Sequence, residues 1–193
     1  MNVTGVTLFL DQLAAKHIEI MREIRPRLAR VGLIFGATGP SICKVVEEGA
    51  RQGGKRAGAI LTSYQVANRQ QIEAAFTQMR TARPEMLIPC PMPLLFNNRD
   101  LLFEGAVRLR IPFTSFVTAN LPLGVLFAYA PSFAEGNRKA ATYVAKLLKG
   151  MRPEGLPIEQ PTKIALVINM KTAKVMGLTI PSSLLQRADH LIE

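Results

Sequence analysis

The chain has 193 residues, 48% hydrophobic and 20% charged, which fits one globular domain or a domain with an appendage. Its net charge of +10 invites nucleic acid or an anionic membrane as a partner, but Lys and Arg are scattered, with no run of five and no interleaved aromatics for base stacking. No apolar run approaches the ~18 residues that span a bilayer, the start MNVTGVTLFLDQLAAK lacks the basic opening of a secretory signal, and two cysteines with two histidines provide neither a disulfide framework nor a zinc site.

Leu10, Leu13, Ala14, His17, Met21, Ile24 and Leu28 recur at helical spacing, and Pro26 marks where that helix ends or kinks. A strand follows over Val31 to Phe35. The next helix places Ile42, Val45, Val46, Gly49, Ala50 and Gly53 on one face, with Cys43 off it. Gly49 and Gly53 let it lie close on a sheet, and Gly53-Gly54 ends it. Strands are expected over 59–66, 85–90, 112–116 and 125–130, with helices over 69–82 and 97–110 between them and PMPLLF as an exit loop. This alternation means βαβ units and a parallel sheet covered on both faces. After Pro131 the rhythm changes: a helix stopped by Gly150, a Pro-rich stretch, a strand over 164–169, a short helix, and a last helix with Ser182 or Ser183 as N-cap. Whether this tail joins the same sheet is open.

The loop FGATGPSICK, residues 35–44, sits between the first strand and its helix. Such a loop can cradle phosphate, expose a nucleophile or wall a ligand cleft. It lacks the GK[ST] of a P-loop and the G-x-G-x-x-G of a dinucleotide site. Cys43 would need a His partner, and His17 on an apolar stripe reads as a core histidine. Ser41 has no G-x-S-x-G context and reads first as a helix cap. In an open parallel sheet, ligands bind beyond the carboxyl ends of the strands. The loops there carry Thr38, Ser41, Asn68, Ser115, Thr118 and Asn120, and no Asp or Glu. That chemistry favours binding over turnover and gives general acid–base work little to use.

The carboxyl end, LPIEQPTKIALVINMKTAKVMGLTIPSSLLQRADHLIE at 156–193, resembles that of the substrate-binding proteins of ABC transporters of the tryptophan/tyrosine-type uptake class. AATYVAKLLKG at 140–150 and NVTGV at 2–6 match the same family, so the resemblance covers essentially the whole chain. It implies an α/β, parallel-sheet, flavodoxin/Rossmann-like three-layer lobe of the type I periplasmic-binding-protein fold, with an incomplete first lobe. Residues 1–130 would be the second lobe, and 131–193 a return segment and tail packing on the lobes. The implied function is non-catalytic binding of a small organic solute, an amino acid or related carboxylate, for an ABC importer. The implied partner is the membrane permease; no cofactor, metal or nucleic acid is involved. The implied location is periplasmic or cell-surface, or cytoplasmic if Met1 is the native start. The alternative is a truncated, non-transporting single-lobe relative, dimerising through its exposed face or acting as a regulatory module.

On this resemblance the solute-binding positions are Ala37, Thr38, Pro40, Ser41, Met92, Ser115, Phe116, Tyr129 and Ser132. Several depart from the family. FGATGPSICK replaces a loop often written WNP..P. PMPLLF replaces ADP.F, so Met92 stands where an acid often stands, or else fills a packing gap. Ser115-Phe116 replaces an aromatic–Gly pair, and AYAPS replaces SYGPN, keeping Tyr129, which could equally be core packing, and putting Ser132 at the Asn position. An amino acid's ammonium would want the missing acid, so a less polar or aromatic carboxylate is expected instead.

Overall fold

The computed structural model describes residues 2–7, 10–36, 41–160 and 163–193; the side chain of Ser41 is also left undescribed. The candidates Ala37, Thr38 and Pro40 lie outside the described residues. The first helix, α1 (Leu10–Ile24), stops two residues before Pro26, as the steric demand of proline on its predecessor requires. Its expected stripe is buried, and Ala15, Ile18 and Ile20 are buried with it. The wider burial arises because α1 packs on both the sheet and the second helix, α2 (Ser41–Ala57).

Strands β1 (Arg30–Gly36), β2 (Ile60–Val66) and β3 (Met86–Pro89) are parallel in the order β2-β1-β3. β4 (Thr114–Ser115) pairs parallel with β5 (Phe127–Pro131). A parallel bridge from Leu87 to Phe113, with Leu87 N–H donating to the Pro112 carbonyl at 2.8 Å, joins β3 to this second group. The carboxyl ends of these strands therefore line one edge. The tail extends the same sheet: β6 (Ile164–Asn169) runs antiparallel to β5, and β7 (His190–Ile192), not foreseen in the sequence, runs parallel to β6.

Alternation along the strands sorts the core. Val31, Leu33 and Phe35 of β1 join α1, α2 and the tail on one face. Ile34 joins Ile72, Phe76 and Met79 of α3 (Arg69–Ala82) and Leu102 and Phe103 on the other. These are the three layers expected. β2 is an edge strand and breaks the expectation of continuous burial, leaving Ile60 71% exposed.

Three expectations for α2 fail together. The helix runs through Gly53-Gly54 and stops at Gly58, whose φ of +67° is left-handed. Gly49 and Gly53 face α1 rather than the sheet: an added Cβ at Gly49 would overlap the Asp11 backbone, and one at Gly53 would lie 2.8 Å from Ala15 Cα. Cys43 is buried and Val45 is 44% exposed, so the inward stripe is rotated toward the cysteine.

The expected helix at 97–110 is α5 (Arg99–Leu109), and the expected exit loop before it carries a short helix, α4 (Pro93–Asn97), opened by Pro93 at its first turn. Four of the six residues of PMPLLF are thus helical. After β5 comes α6 (Phe133–Leu148), capped by Ser132. It is followed by α7 (Met170–Val175) and by α8 (Ser182–Arg187), whose N-cap is Pro181, not a serine. Residues 5–7 lie beside 159, with Thr7 N–H donating to the Glu159 carbonyl at 2.9 Å and Glu159 N–H to that of Gly5 at 3.0 Å.

Candidate functional site

At the carboxyl ends of β3 and β4 lies a cavity of about 330 Å³. Its walls come from the β3 exit loop, α4, the start of α5 and the β4 exit loop. β3 runs out through Cys90, and Cys43 at the start of α2 is joined to Cys90 by a disulfide, 47 residues apart in sequence. This corrects the expectation that the two cysteines make no disulfide framework. Both residues are buried, and the bond ties the loops after β1 and β3 together.

Met92 adds a second tie. Its Sδ accepts the Gly36 N–H at 3.0 Å and lies 4.0 Å from Cys43 Sγ. A Cβ on Gly36 would come within 2.8 Å of that sulfur, so the glycine admits the methionine. Met92 thus packs over the end of β1 while lining the cavity.

The β4 exit is held from below by His17. Its Nε2–H donates to the Tyr129 carbonyl and its Nδ1 accepts from the Thr114 hydroxyl, both at 2.9 Å. Such a pairing fixes one neutral tautomer. Burial pushes its pKa down to about 4, opposed in part by the bond to Tyr129. The ring of Phe116 stacks on His17, centroids 4.4 Å apart, and also lines the cavity. A core histidine therefore sets the position of a wall residue.

Ser115 lines the cavity with its hydrogen bonds already made. Its Oγ donates to the Val117 carbonyl at 3.0 Å and accepts from Val117 N–H at 3.0 Å and from Asn120 Nδ2 at 3.1 Å. One donor and two acceptor sites exhaust a hydroxyl. Ser115 shapes the turn and aims Asn120 at the cavity; Asn120 keeps its carbonyl oxygen and its second amide proton.

The structure thus brings Met92, Ser115 and Phe116 around one cavity. Ser41 opens α2 beside the disulfide. Tyr129 is elsewhere: its half-buried ring lines a separate cavity of about 340 Å³ with Lys16, Ile20 and Asp189. Ser132 is at the carboxyl end of β5, where its Oγ accepts the Glu135 N–H at 3.3 Å as the cap of α6.

The sequence reading missed Phe96, Asn97, Arg99, Phe103 and Phe113, which also line the cavity. Arg99 had a signal, being the first cation after the β3 exit loop. Its Nη1 donates to the Phe96 carbonyl at 3.3 Å, and its guanidinium carbon sits 5.0 Å from the Phe96 ring centroid. No lining residue is acidic. Among the described residues, no group of three His, Cys, Asp or Glu side chains could hold a metal ion. A mostly apolar cavity with a few polar groups is built to enclose a small molecule.

Known proteins can now be set beside this geometry. A comparison with curated proteins finds no match. A conserved domain protein from Vibrio cholerae shares the fold with a TM-score of 0.89 at 20% identity, over 98% of this chain and 63% of that one. An ABC domain from Streptococcus pneumonia, solved in complex with L-Trp, aligns with a TM-score of 0.88 at 21% identity, over 99% of this chain and 65% of that one. An ABC transporter periplasmic solute-binding protein from Actinobacillus succinogenes with bound D-allose gives 0.67 at 10% identity, over 90% and 64%. The chain spans less than two thirds of the length of each of these. The family described as ABC transporter substrate binding protein matches residues 1–192. With the type I periplasmic-binding-protein architecture of its sheet, the chain belongs to the ABC transporter substrate-binding protein family.

Proposed function

We propose that the chain serves as the ligand-holding lobe of the solute-binding component of an ABC-type importer. It takes a small organic solute, an amino acid or a related carboxylate, in a cleft at the carboxyl edge of its sheet, without chemical turnover. The observation that carries this reading is the cavity at the ends of β3 and β4, walled by Met92, Ser115 and Phe116. Its lining holds no acid, base or nucleophile set, which supports binding rather than catalysis. In this reading residues 1–130 with β6 and β7 form the second lobe, and α6 with residues 149–158 reaches toward a first lobe. The membrane permease is the macromolecular partner. The scattered Lys and Arg, several in ion pairs such as Arg187 with Glu23 and Arg25 with Glu85, speak for a solvated surface rather than a nucleic-acid face.

The Cys43–Cys90 disulfide supports an extracytoplasmic setting, since such bonds persist in oxidising compartments. The test is thermal unfolding with a panel of amino acids and organic acids, run on the wild type and on Val117→Trp, which fills the cavity. A solute at 100 times its Kd should stabilise the wild type by about 2.7 kcal/mol, and Val117→Trp should abolish the effect. No stabilisation, or stabilisation that survives Val117→Trp, overturns the reading.

A second reading has its own observation. α6 exposes Phe133, Val144 and Leu148 (84% exposed), with Met151 and Val3 also exposed. A lobe working alone would cover such a face by dimerising, as a non-transporting module.

A further inference from the structure

We infer that the cavity takes an apolar monocarboxylate, an aryl or branched-alkyl acid without an α-ammonium group, with Arg99 as the partner of its carboxylate. This rests on the reading of the cavity as the solute site. An amino acid carries two opposite charges, and a buried ammonium needs an anion or several acceptors to offset its lost hydration. The cavity supplies no anion, and its unused side-chain acceptors are two neutral amide oxygens, those of Asn97 and Asn120. None of its lining side chains is acidic, and the Ser115 hydroxyl is fully used by Val117 and Asn120. Among the described residues, the only ionisable side chain in the lining is Arg99.

Arg99 is suited to an anion. It forms no ion pair among the described residues and spends one donor on the Phe96 carbonyl, which leaves guanidinium N–H groups for a carboxylate. The Phe96 ring holds it in place. It is also the first residue of α5, whose N-terminus has no side-chain cap, so the positive end of the helix adds to the same sign. The rest of the wall, with Met92, Leu95, Phe103, Phe113 and Phe116, offers an apolar bed for a hydrocarbon body.

The matched probes are 3-phenylpropionate, L-phenylalanine and 3-phenylpropanamide. They share one body and differ in charge. Each is titrated into the 193-residue chain while the methyl resonance of Met92, a residue that lines the cavity, is followed by NMR. The carboxylate is expected to bind at least tenfold tighter than either relative. Arg99→Gln should remove that advantage and leave the amide's affinity unchanged. If L-phenylalanine or the amide binds as well as the acid, or Arg99→Gln spares the acid, the ligand class is wrong while the cavity stands as a solute site. If no probe moves the Met92 resonance, the ligand class and the reading of the cavity fail together.

Discussion

His17 is the residue on which most of the site turns. It lies in the first helix, yet it bonds to partners 97 and 112 positions away and stacks on Phe116. Its place on an apolar stripe was legible in the sequence, and so was its core character. Its partners were not, because no local pattern encodes which strands pass over a helix. The buried ring carries a stability signature. Unfolded, it takes a proton near pH 6.5; folded, only near 4. The unfolded state thus binds more protons between these values, so stability is full above pH 6.5 and falls as pH drops toward 4. The loss should reach roughly 3 kcal/mol. Urea midpoints between pH 7 and 4.5 should show it, and His17→Gln should flatten the slope. Met92 teaches the complementary lesson. The sequence places a methionine where the family often has an acid, and only the fold seats its sulfur on the Gly36 amide.

At the scale of elements, the strands of the main sheet were nearly all readable, since apolar runs between amphipathic helices have few other solutions. What escaped was rotation and contact. The helix α2 turns Cys43 inward because Gly49 and Gly53 are consumed by the seam with α1, not by the sheet. Two cysteines separated by 47 residues carry no signature of pairing until the ends of β1 and β3 are placed side by side. Closing a loop of that length should stabilise the fold by about 4 kcal/mol on the chain-entropy account. Cys43→Ser with Cys90→Ser should lower the urea midpoint accordingly, and added reductant should then have no further effect on that double variant. Gly49→Ala pushes a methyl into the Asp11 backbone and should cost about 2 kcal/mol or more, read in the same denaturation curves.

For the whole molecule, the family resemblance reached further than physical patterning could. Motifs at 2–6, 140–150 and 156–193 tie both ends of the chain to one architecture, and the family match over residues 1–192 agrees. The cavity was legible only as an edge, because its walls come from segments that meet only in the fold. The exposed face of α6 leads to a prediction at this scale. If a second copy covers it, sedimentation equilibrium of the wild type should give a dimer, and Leu148→Lys with Val144→Lys should return a folded monomer whose unfolding midpoint no longer depends on protein concentration. If the wild type is already a monomer, the dimerising reading fails.

The attachment of α6 has a mechanical consequence. Two backbone contacts lie near its base: residues 5–7 pair with 159, and the Ser132 N–H donates to the Lys163 carbonyl at 3.1 Å. These contacts fasten α6 at its first turn, while its other end stands in solvent, with Leu148 84% exposed. Motion of α6 relative to the sheet should then be a rocking about that fastened end. Distances measured between spin labels on Lys149 and on each of Arg108 and Arg187 should broaden in a correlated way, as for a leaf spring, rather than independently, as for a ball joint.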